Sequence, residues 1–255
     1  MIVGLQTYTI RKLAQMNLPL ALKEIGKLGI VHLELARVPF SEATITAIKD
    51  AKMKVVAIQD KYQHLDKHFA ERIRFLKALD VDTAVVSVLP LGAILGGKRA
   101  VKRFAKRLNE LAKRSRSEGI RLAFHHHDFE FKMAGCKTKL AHLLEELDPE
   151  VGIVMDTYWA SKSKQDLAQL TATLGSRLCG IHLRDHQDIE KSGKRRSRDC
   201  AVGSGDIDFT QFLPLLRQNR IYGVIEQNSE SPLGDIKKSI VTLKKIGLWA
   251  EKGKA

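Results

Sequence analysis

The sequence predicts an α/β protein with a single domain over residues 1–255, a (β/α)8 TIM barrel. Short apolar runs rich in β-forming residues alternate along the chain with longer stretches of helical periodicity. A length of 255 residues is typical of one closed barrel of eight strand–helix units. No linker rich in Pro, Gly or Ser divides the chain, and no GxGxxG motif follows the first strand, which disfavours an open doubly wound sheet.

Eight strands are predicted, and in chain order they cover 2–8, 31–35, 54–59, 82–89, 120–127, 151–156, 178–185 and 221–227. Helical periodicity predicts helices near 18–28, 41–51, 65–79, 97–118, 138–147, 163–174, 208–218 and 233–247. Ser41, Thr138 and Asp208 stand at helix starts, where a side-chain oxygen accepts a hydrogen bond from a first-turn N–H. Gly29 and Gly119 follow predicted helices, where a left-handed residue is common.

Composition excludes several classes of protein. With 44% hydrophobic and 28% charged residues the chain is not disordered, and no apolar run reaches the roughly 18 residues of a membrane helix. The N-terminus, MIVGLQTYTIRK, lacks the pattern of a signal peptide. Cys136, Cys179 and Cys200 are isolated and odd in number, which disfavours a disulfide framework. We therefore expect a cytoplasmic protein with no membrane partner.

The net charge of +14 attracts polyanions or phosphorylated small molecules, or else serves solubility on helix surfaces. Five basic residues stand close together after the seventh predicted strand: Lys191, Lys194, Arg195, Arg196 and Arg198. This segment is either a lid that closes on a phosphate or carboxylate, with mobility at Gly203 and Gly205, or a solvated loop.

Polar side chains stand at the ends of the four late predicted strands, in the runs HHHDFE, MDTYW, HLRDH and EQN. Active sites of such barrels lie at the C-terminal ends of the strands. A carboxylate buried there costs free energy unless it is paired or bound to a metal ion. We therefore expect a site for Mn²⁺, Mg²⁺, Co²⁺ or Zn²⁺ whose ligands are Glu130, Asp156, His182 and Glu226. The alternative is ordinary loop polarity or ion pairing.

The ligand contributed by the fifth predicted strand remains open. Strand alternation puts His125 and His127 on one side and Glu130 on the other, unless the strand end turns. His127 is therefore a rival to Glu130 as a metal ligand.

In series, these segments resemble the xylose-isomerase-like TIM barrels, a superfamily of sugar and sugar phosphate isomerases and epimerases that also includes endonuclease-IV-type proteins of AP endonuclease family 2. The resemblance is carried, in the expected order, by GLQTYTIR at 4–11, AFHHHDFEF at 123–131, GIVMDTYWA at 152–160, GIHLRDH at 180–186, VGSGDIDF at 202–209 and YGVIEQNSE at 222–230. The second segment is usually HNHDFEF in the family, so His126 stands where Asn is usual. The same four ligand positions, Glu130, Asp156, His182 and Glu226, follow from the resemblance.

The resemblance also implies a reaction on a small carbohydrate. The metal ion stabilises an enediolate, Glu130 and Glu226 remove and return a proton next to the carbonyl, and His125 binds a substrate oxygen. Further substrate-binding residues are expected among Gln6, Glu34, His127, Trp159 and Arg184. Arg184 either meets a carboxylate or phosphate or pairs with Asp185 or Asp156.

Three other functions remain. A dehydratase of a keto-polyol would use the same site, and a non-catalytic sugar-binding barrel is also compatible with the sequence. An abasic-site nuclease is disfavoured, because the nuclease relatives place a histidine where Trp159 stands and end early strands in histidine, whereas Glu34 and Gln59 stand here. Nucleic acid is therefore not an expected partner, and a homo-oligomer is compatible with the resemblance.

Overall fold

The computed structural model describes residues 1–191, 194–218 and 221–249. Its strands are β1 (Ile2–Gln6), β2 (His32–Leu35), β3 (Lys54–Asp60), β4 (Thr83–Val86), β5 (Arg121–His125), β6 (Gly152–Asp156), β7 (Leu178–Leu183), β8 (Asp185–Lys191), β9 (Lys194–Cys200) and β10 (Tyr222–Ile225). Within the described residues, eight of them close into a parallel barrel in the order β1-β10-β7-β6-β5-β4-β3-β2, which confirms the predicted fold class.

The chain forms two compact units, Met1–Val56 with Gly180–Ala255, and Ala57–Cys179. In the first unit, β2, β1, β10 and β7 are neighbours, with Gln6 in register with Glu34 and Val224 in register with His182. In the second unit, β3, β4, β5 and β6 are neighbours. Most residues of these strands are buried, as expected for parallel strands covered on both faces. A single domain over 1–255 stays a prediction.

The helices are α1 (Arg11–Met16), α2 (Leu18–Lys27), α3 (Glu42–Asp50), α4 (Tyr62–Lys67), α5 (Phe69–Ala78), α6 (Leu91–Leu95), α7 (Lys98–Ser117), α8 (Lys139–Glu146), α9 (Thr157–Lys162), α10 (Leu167–Leu174), α11 (Leu213–Arg217) and α12 (Pro232–Lys245). Short 3-10 turns cover Thr7–Ile10, Phe129–Phe131, Gly175–Arg177 and Phe209–Phe212. In the described part of the chain, no helix is both long and apolar enough to span a membrane.

The predicted caps are confirmed. Ser41 accepts a hydrogen bond from the backbone N–H of Thr44, and Thr138 accepts one from the N–H of Ala141. Asp208 also caps, but the turn that it begins is 3-10 before it becomes α11. Gly29 and Gly119 both adopt positive φ, at 90° and 78°.

Two expectations about elements were wrong in detail. The predicted helix at 65–79 is two helices, α4 and α5, because the backbone of His68 leaves the helical region between them. The basic segment after β7, expected as a loop, contains the antiparallel hairpin of β8 and β9. Its strands are charged on both faces, so apolar periodicity could not reveal them.

Asp185, at the start of β8, anchors the segment that follows the hairpin. Its buried carboxylate accepts hydrogen bonds from the backbone N–H groups of Gly203, Gly205 and Ile207 at 2.8, 3.0 and 3.3 Å. A Cβ at Gly205 would lie 2.1 Å from the carbonyl oxygen of His186. Gly203 and Gly205, which the sequence analysis considered as a source of mobility, therefore also have a role in the packing of this segment. The side chains of residues 191 and 194–196 lie outside the described part, so the lid remains a prediction.

Candidate active site

A buried network of polar side chains surrounds His182 in the first unit. We call it the His182 cluster, and its members are Gln6, Glu34, His182, Arg184, Asp199, Tyr222 and Glu226. Strand register explains much of the grouping, because Gln6 and Glu34 are partners on β1 and β2, and His182 lies on β7 beside β10, which Glu226 follows. The sequence predicted five of these residues as site residues. Tyr222 and Asp199 were missed.

His182 lies between two carboxylates. Its Nε2 is 2.9 Å from Glu34 Oε1, and its Nδ1 is 2.7 Å from Glu226 Oε2. Burial alone lowers the pKa of His182, but the charges of Glu34 and Glu226 and their hydrogen bonds outweigh it and raise that pKa well above 6.5. Two buried carboxylates thus require positive charge beside them, and a protonated imidazole or a bound cation can both supply it.

Both carboxylates have further partners. The hydroxyl of Tyr222 donates to Glu34 Oε2 at 2.6 Å. Gln6 donates from Nε2 to Glu226 Oε2 at 3.1 Å, while Arg184 donates from Nη1 to Glu226 Oε1 at 3.3 Å. Gln6 and Glu34 were expected to contact substrate. In the structure they bond instead to other members of the His182 cluster.

Arg184 has a partner that the sequence did not indicate. Its Nε and Nη2 both donate to Asp199 Oδ2, at 2.9 and 2.6 Å. Asp185, one of the two expected partners, is instead bonded to backbone N–H groups. Burial raises the pKa of Asp199 to about 6, although the charge of Arg184 opposes this shift. Asp199 is the one acid in the run KRRSRDC, and only the pairing of β9 with β8 reveals where it lies.

The second unit carries its own buried group at the ends of β5 and β6. We call it the His125 cluster, and it comprises His125, His126, His127, Glu130, Asp156 and Trp159. His125 Nε2 lies 3.6 Å from Asp156 Oδ2. Asp156 also begins α9, where its Oδ1 accepts a hydrogen bond from the backbone N–H of Trp159 at 3.0 Å. The helix start thus fixes the direction of this carboxylate.

His126 supports the backbone of this cluster. Its Nε2 accepts a hydrogen bond from the backbone N–H of Asp156 at 3.2 Å, so the ring is neutral there and carries its proton on Nδ1. The ring also packs edge-on against Phe131, with centroids 5.0 Å apart. This histidine, which replaces the family's usual Asn, therefore ties β5 to the end of β6.

Glu130 is buried in the 3-10 turn after β5. Its Oε2 accepts a hydrogen bond from the backbone N–H of His127 at 2.7 Å, and burial raises its pKa to about 7. The His127 ring packs against His125 and Trp159, with centroids 4.8 and 5.5 Å apart. The choice between Glu130 and His127 as a metal ligand stays open, and the position of His125 beside Asp156 adds a third candidate.

Each unit therefore contributes buried side chains that could bind a metal ion, His182 and Glu226 in the first unit and His125 and Asp156 in the second. Imidazole nitrogen and carboxylate oxygen together suit a divalent cation of hard or borderline character.

A family model described as xylose isomerase-like TIM barrel matches residues 42–246. This chain belongs to that family. The match covers most of the chain, including β3 to β10 and with them all strand-end residues of the His125 cluster.

Relatives of this xylose isomerase-like barrel include inosose dehydratase from Mesomycoplasma hyopneumoniae. It is 28% identical over an alignment of 165 residues that covers 57% of this chain and 54% of that protein. The chain thus spans about half the length of the curated relatives that it matches. A sugar phosphate isomerase/epimerase from Parabacteroides distasonis has a similar structure, with a TM-score of 0.74, 20% identity and coverage of 95% of this chain and 93% of that one. The structure of D-psicose 3-epimerase with D-tagatose, from Clostridium cellulolyticum, has a TM-score of 0.70 and 12% identity. The match covers 98% of this chain and 100% of that one. At such identities the two structures show the fold alone.

Proposed function

We propose that this protein is a divalent-metal-dependent isomerase or epimerase of a sugar, a sugar phosphate or a related polyol. The observation that carries the proposal is the buried His182 between the carboxylates of Glu34 and Glu226. Buried histidines and carboxylates paired in this way can hold a cation or move a proton, and perturbed ionisable groups are concentrated at functional sites. Membership of the xylose isomerase-like family supports the same reading.

The donor set fits a divalent cation. We propose Asp156, His182 and Glu226 as ligands, with Glu130, from the resemblance, as the fourth and His125 as its alternative. A bound ion of this kind polarises a substrate carbonyl or hydroxyl and stabilises the negative charge that develops on its oxygens. Glu34 would orient His182 through its second ring nitrogen, as carboxylates commonly do for ligand histidines.

The proton chemistry falls to two glutamates. Glu226 takes a proton from the carbon next to the substrate carbonyl, and the C–H electron pair moves into the C–C–O framework of the substrate. Returning a proton to the opposite side of the same carbon gives the epimer. Returning it to the former carbonyl carbon moves the carbonyl, provided that the hydroxyl proton of the first carbon passes to the former carbonyl oxygen. Glu130 is proposed for the return step, because the resemblance pairs it with Glu226 as acid and base.

Other side chains bind and orient. Gln6 and Arg184 hold the carboxylate of Glu226, which keeps its direction constant during proton transfer. We propose that His125 donates a hydrogen bond to a substrate oxygen. The adjoining rings of His127 and Trp159 offer an aromatic surface against which a sugar ring can pack.

A dehydratase of a keto-polyol is the second candidate, and similarity to inosose dehydratase favours it. The first step is the same proton abstraction next to a carbonyl. The hydroxyl on the next carbon then leaves as water after it takes a proton from an acid, and a carbon–carbon double bond forms. Whether the protein isomerises or dehydrates its substrate depends on the position of the protonated acid. An acid that faces the deprotonated carbon returns the proton there, whereas one that faces the hydroxyl on the next carbon promotes loss of water.

Metal analysis of the purified protein tests the site. We expect about one Mn, Co, Mg or Zn ion per chain, lost in Asp156→Asn and in Glu226→Gln. Asp80→Asn is a matched control, since Asp80 is exposed at a positive φ that Asn tolerates. Absence of metal after repletion with each ion would overturn the proposal, and several zinc ions per chain would favour a nuclease instead.

The reaction is tested by incubating the metal-loaded protein with D-tagatose, D-fructose and an inosose in deuterium oxide. Deuterium incorporation with an epimeric or isomeric product supports an isomerase or epimerase, and loss of water supports the dehydratase. No exchange from any of these compounds, in a protein that retains its metal, would contradict proton abstraction on them.

A further inference from the structure

The guanidinium of Arg184 is bonded on two sides by carboxylates. Asp199 accepts from Nε and Nη2, and Glu226 accepts from Nη1. Arg184 is buried, so these charge-assisted bonds lie in a medium where water screens them weakly. The positive charge of Arg184 is thus already neutralised by these carboxylates.

Asp199 is itself held in place. It lies on β9 of the hairpin, where its backbone is in register with His186 on β8. The backbone of Asn228, two residues after Glu226, also hydrogen-bonds to its carboxylate. A carboxylate fixed from both sides sets the direction of the arginine that it binds.

An anionic group of a substrate would meet an unfavourable environment here. A phosphate next to Arg184 would approach the carboxylates of both Asp199 and Glu226, and like charges in a buried site repel strongly. A hydroxyl or carbonyl oxygen carries no net charge and does not meet this repulsion.

We propose that Asp199 is a positioning residue: it holds Arg184 in the orientation in which Arg184 hydrogen-bonds to the catalytic carboxylate of Glu226. With both carboxylates bound to it, Arg184 does not bind an anionic group of a substrate. This deepens the proposed function and rests on it: the substrate presents an uncharged hydroxyl or carbonyl group to Arg184. On this proposal, a substrate phosphate or carboxylate, which was one of the two alternatives for Arg184, does not bind there.

Inorganic phosphate is the probe, titrated by calorimetry into the full-length protein. We expect wild type and Arg184→Gln to bind phosphate equally, because any phosphate that wild type binds would lie away from Arg184. Asp199→Asn removes the neutralising charge, and we expect it to bind phosphate roughly tenfold more tightly. The double variant Asp199→Asn with Arg184→Gln should lose that gain.

Asp188→Asn is the matched control, since it makes the same charge change on the same hairpin away from Arg184. An equal gain in this control, no gain in Asp199→Asn, or a roughly tenfold loss of phosphate affinity in Arg184→Gln would each overturn the proposal. Circular dichroism reports folding, and if Asp199→Asn does not fold, wild type compared with Arg184→Gln and Arg184→Lys still decides whether Arg184 takes an anion.

This titration needs neither turnover nor a bound metal ion. A protein without isomerase, epimerase or dehydratase activity would therefore contradict the proposed function. The role of Asp199 is decided separately, by the phosphate affinities of wild type and the variants. Asp199→Glu, which keeps the charge, should leave phosphate binding as in wild type, whereas a merely structural role of Asp199 predicts no Arg184-dependent gain in any variant.

Discussion

The imidazole of His182 lies 2.7 Å from the carboxylate of Glu226, and both side chains are buried. Its other nitrogen faces Glu34 at 2.9 Å, so one histidine connects a carboxylate on β2 with one that directly follows β10. The direction of His182 therefore depends on Glu34, whether the positive charge in this group is a proton or a cation.

Glu34→Gln tests this dependence. The amide keeps the shape of the side chain but removes the charge that orients His182, and we expect metal affinity to fall about 10–100-fold. Competition with a chelator measures it. Glu118→Gln, at an exposed glutamate that pairs with Lys77, is the control. Unchanged affinity in Glu34→Gln would show that Glu34 does not support the ligand.

Burial of Glu130 predicts a pH dependence of stability in the metal-free protein. Its pKa is about 7 in the folded protein against an ordinary 4.5, so between these values the folded state binds more protons than the unfolded state. Stability must then fall as pH rises from about 4.5 to about 7, by about 3 kcal/mol.

Glu130→Gln isolates that contribution. The amide does not ionise, so we expect the variant to lose this part of the pH dependence and to be more stable than wild type at pH 8. Denaturant unfolding from pH 5 to pH 8 measures both proteins after metal removal. If the free energy of unfolding depends on pH in the same way in both proteins, Glu130 is not the source of the pH dependence.

Gly205→Ala should destabilise the segment that Asp185 anchors. The added Cβ would lie 2.1 Å from the backbone oxygen of His186 and 2.5 Å from Asp185 Oδ1, so the backbone must move. We expect a loss of about 1–3 kcal/mol in the free energy of unfolding. Gly92→Ala is the control, because nothing lies within 4 Å of its Cβ and the site is helical. Equal stability of the two variants would contradict the packing role of Gly205.

His126→Asn restores the residue usual in the family and should destabilise this protein. Asn is shorter than His, so the backbone N–H of Asp156 would lose its acceptor in a buried position. We expect a cost of about 1–3 kcal/mol, measured by denaturant unfolding. His64→Asn, at a half-exposed histidine, is the control. A neutral effect of His126→Asn would show that another acceptor replaces the ring.

The sequence by itself determined the fold class and the strand ends that carry the polar residues. Alternating apolar runs and helical stretches arise from local burial, and burial patterns repeat along the chain at spacings that can be read directly. All eight predicted strands exist, and His182 and Glu226 follow the apolar parts of β7 and β10 as expected. The hairpin of β8 and β9 has no apolar pattern, so it could not be found in this way.

Only the tertiary structure decided which side chains meet. Glu34 bonds to His182 across 148 positions of the chain, and Arg184 bonds to Asp199 rather than to its neighbour Asp185. At a strand end the chain turns into a loop, so alternation no longer tells where a side chain points. His125 lies with Asp156 among the potential metal ligands, whereas the sequence analysis had weighed Glu130 against His127 for the ligand from this strand. Pairing between distant segments depends on strand register and loop path, which no local spacing encodes.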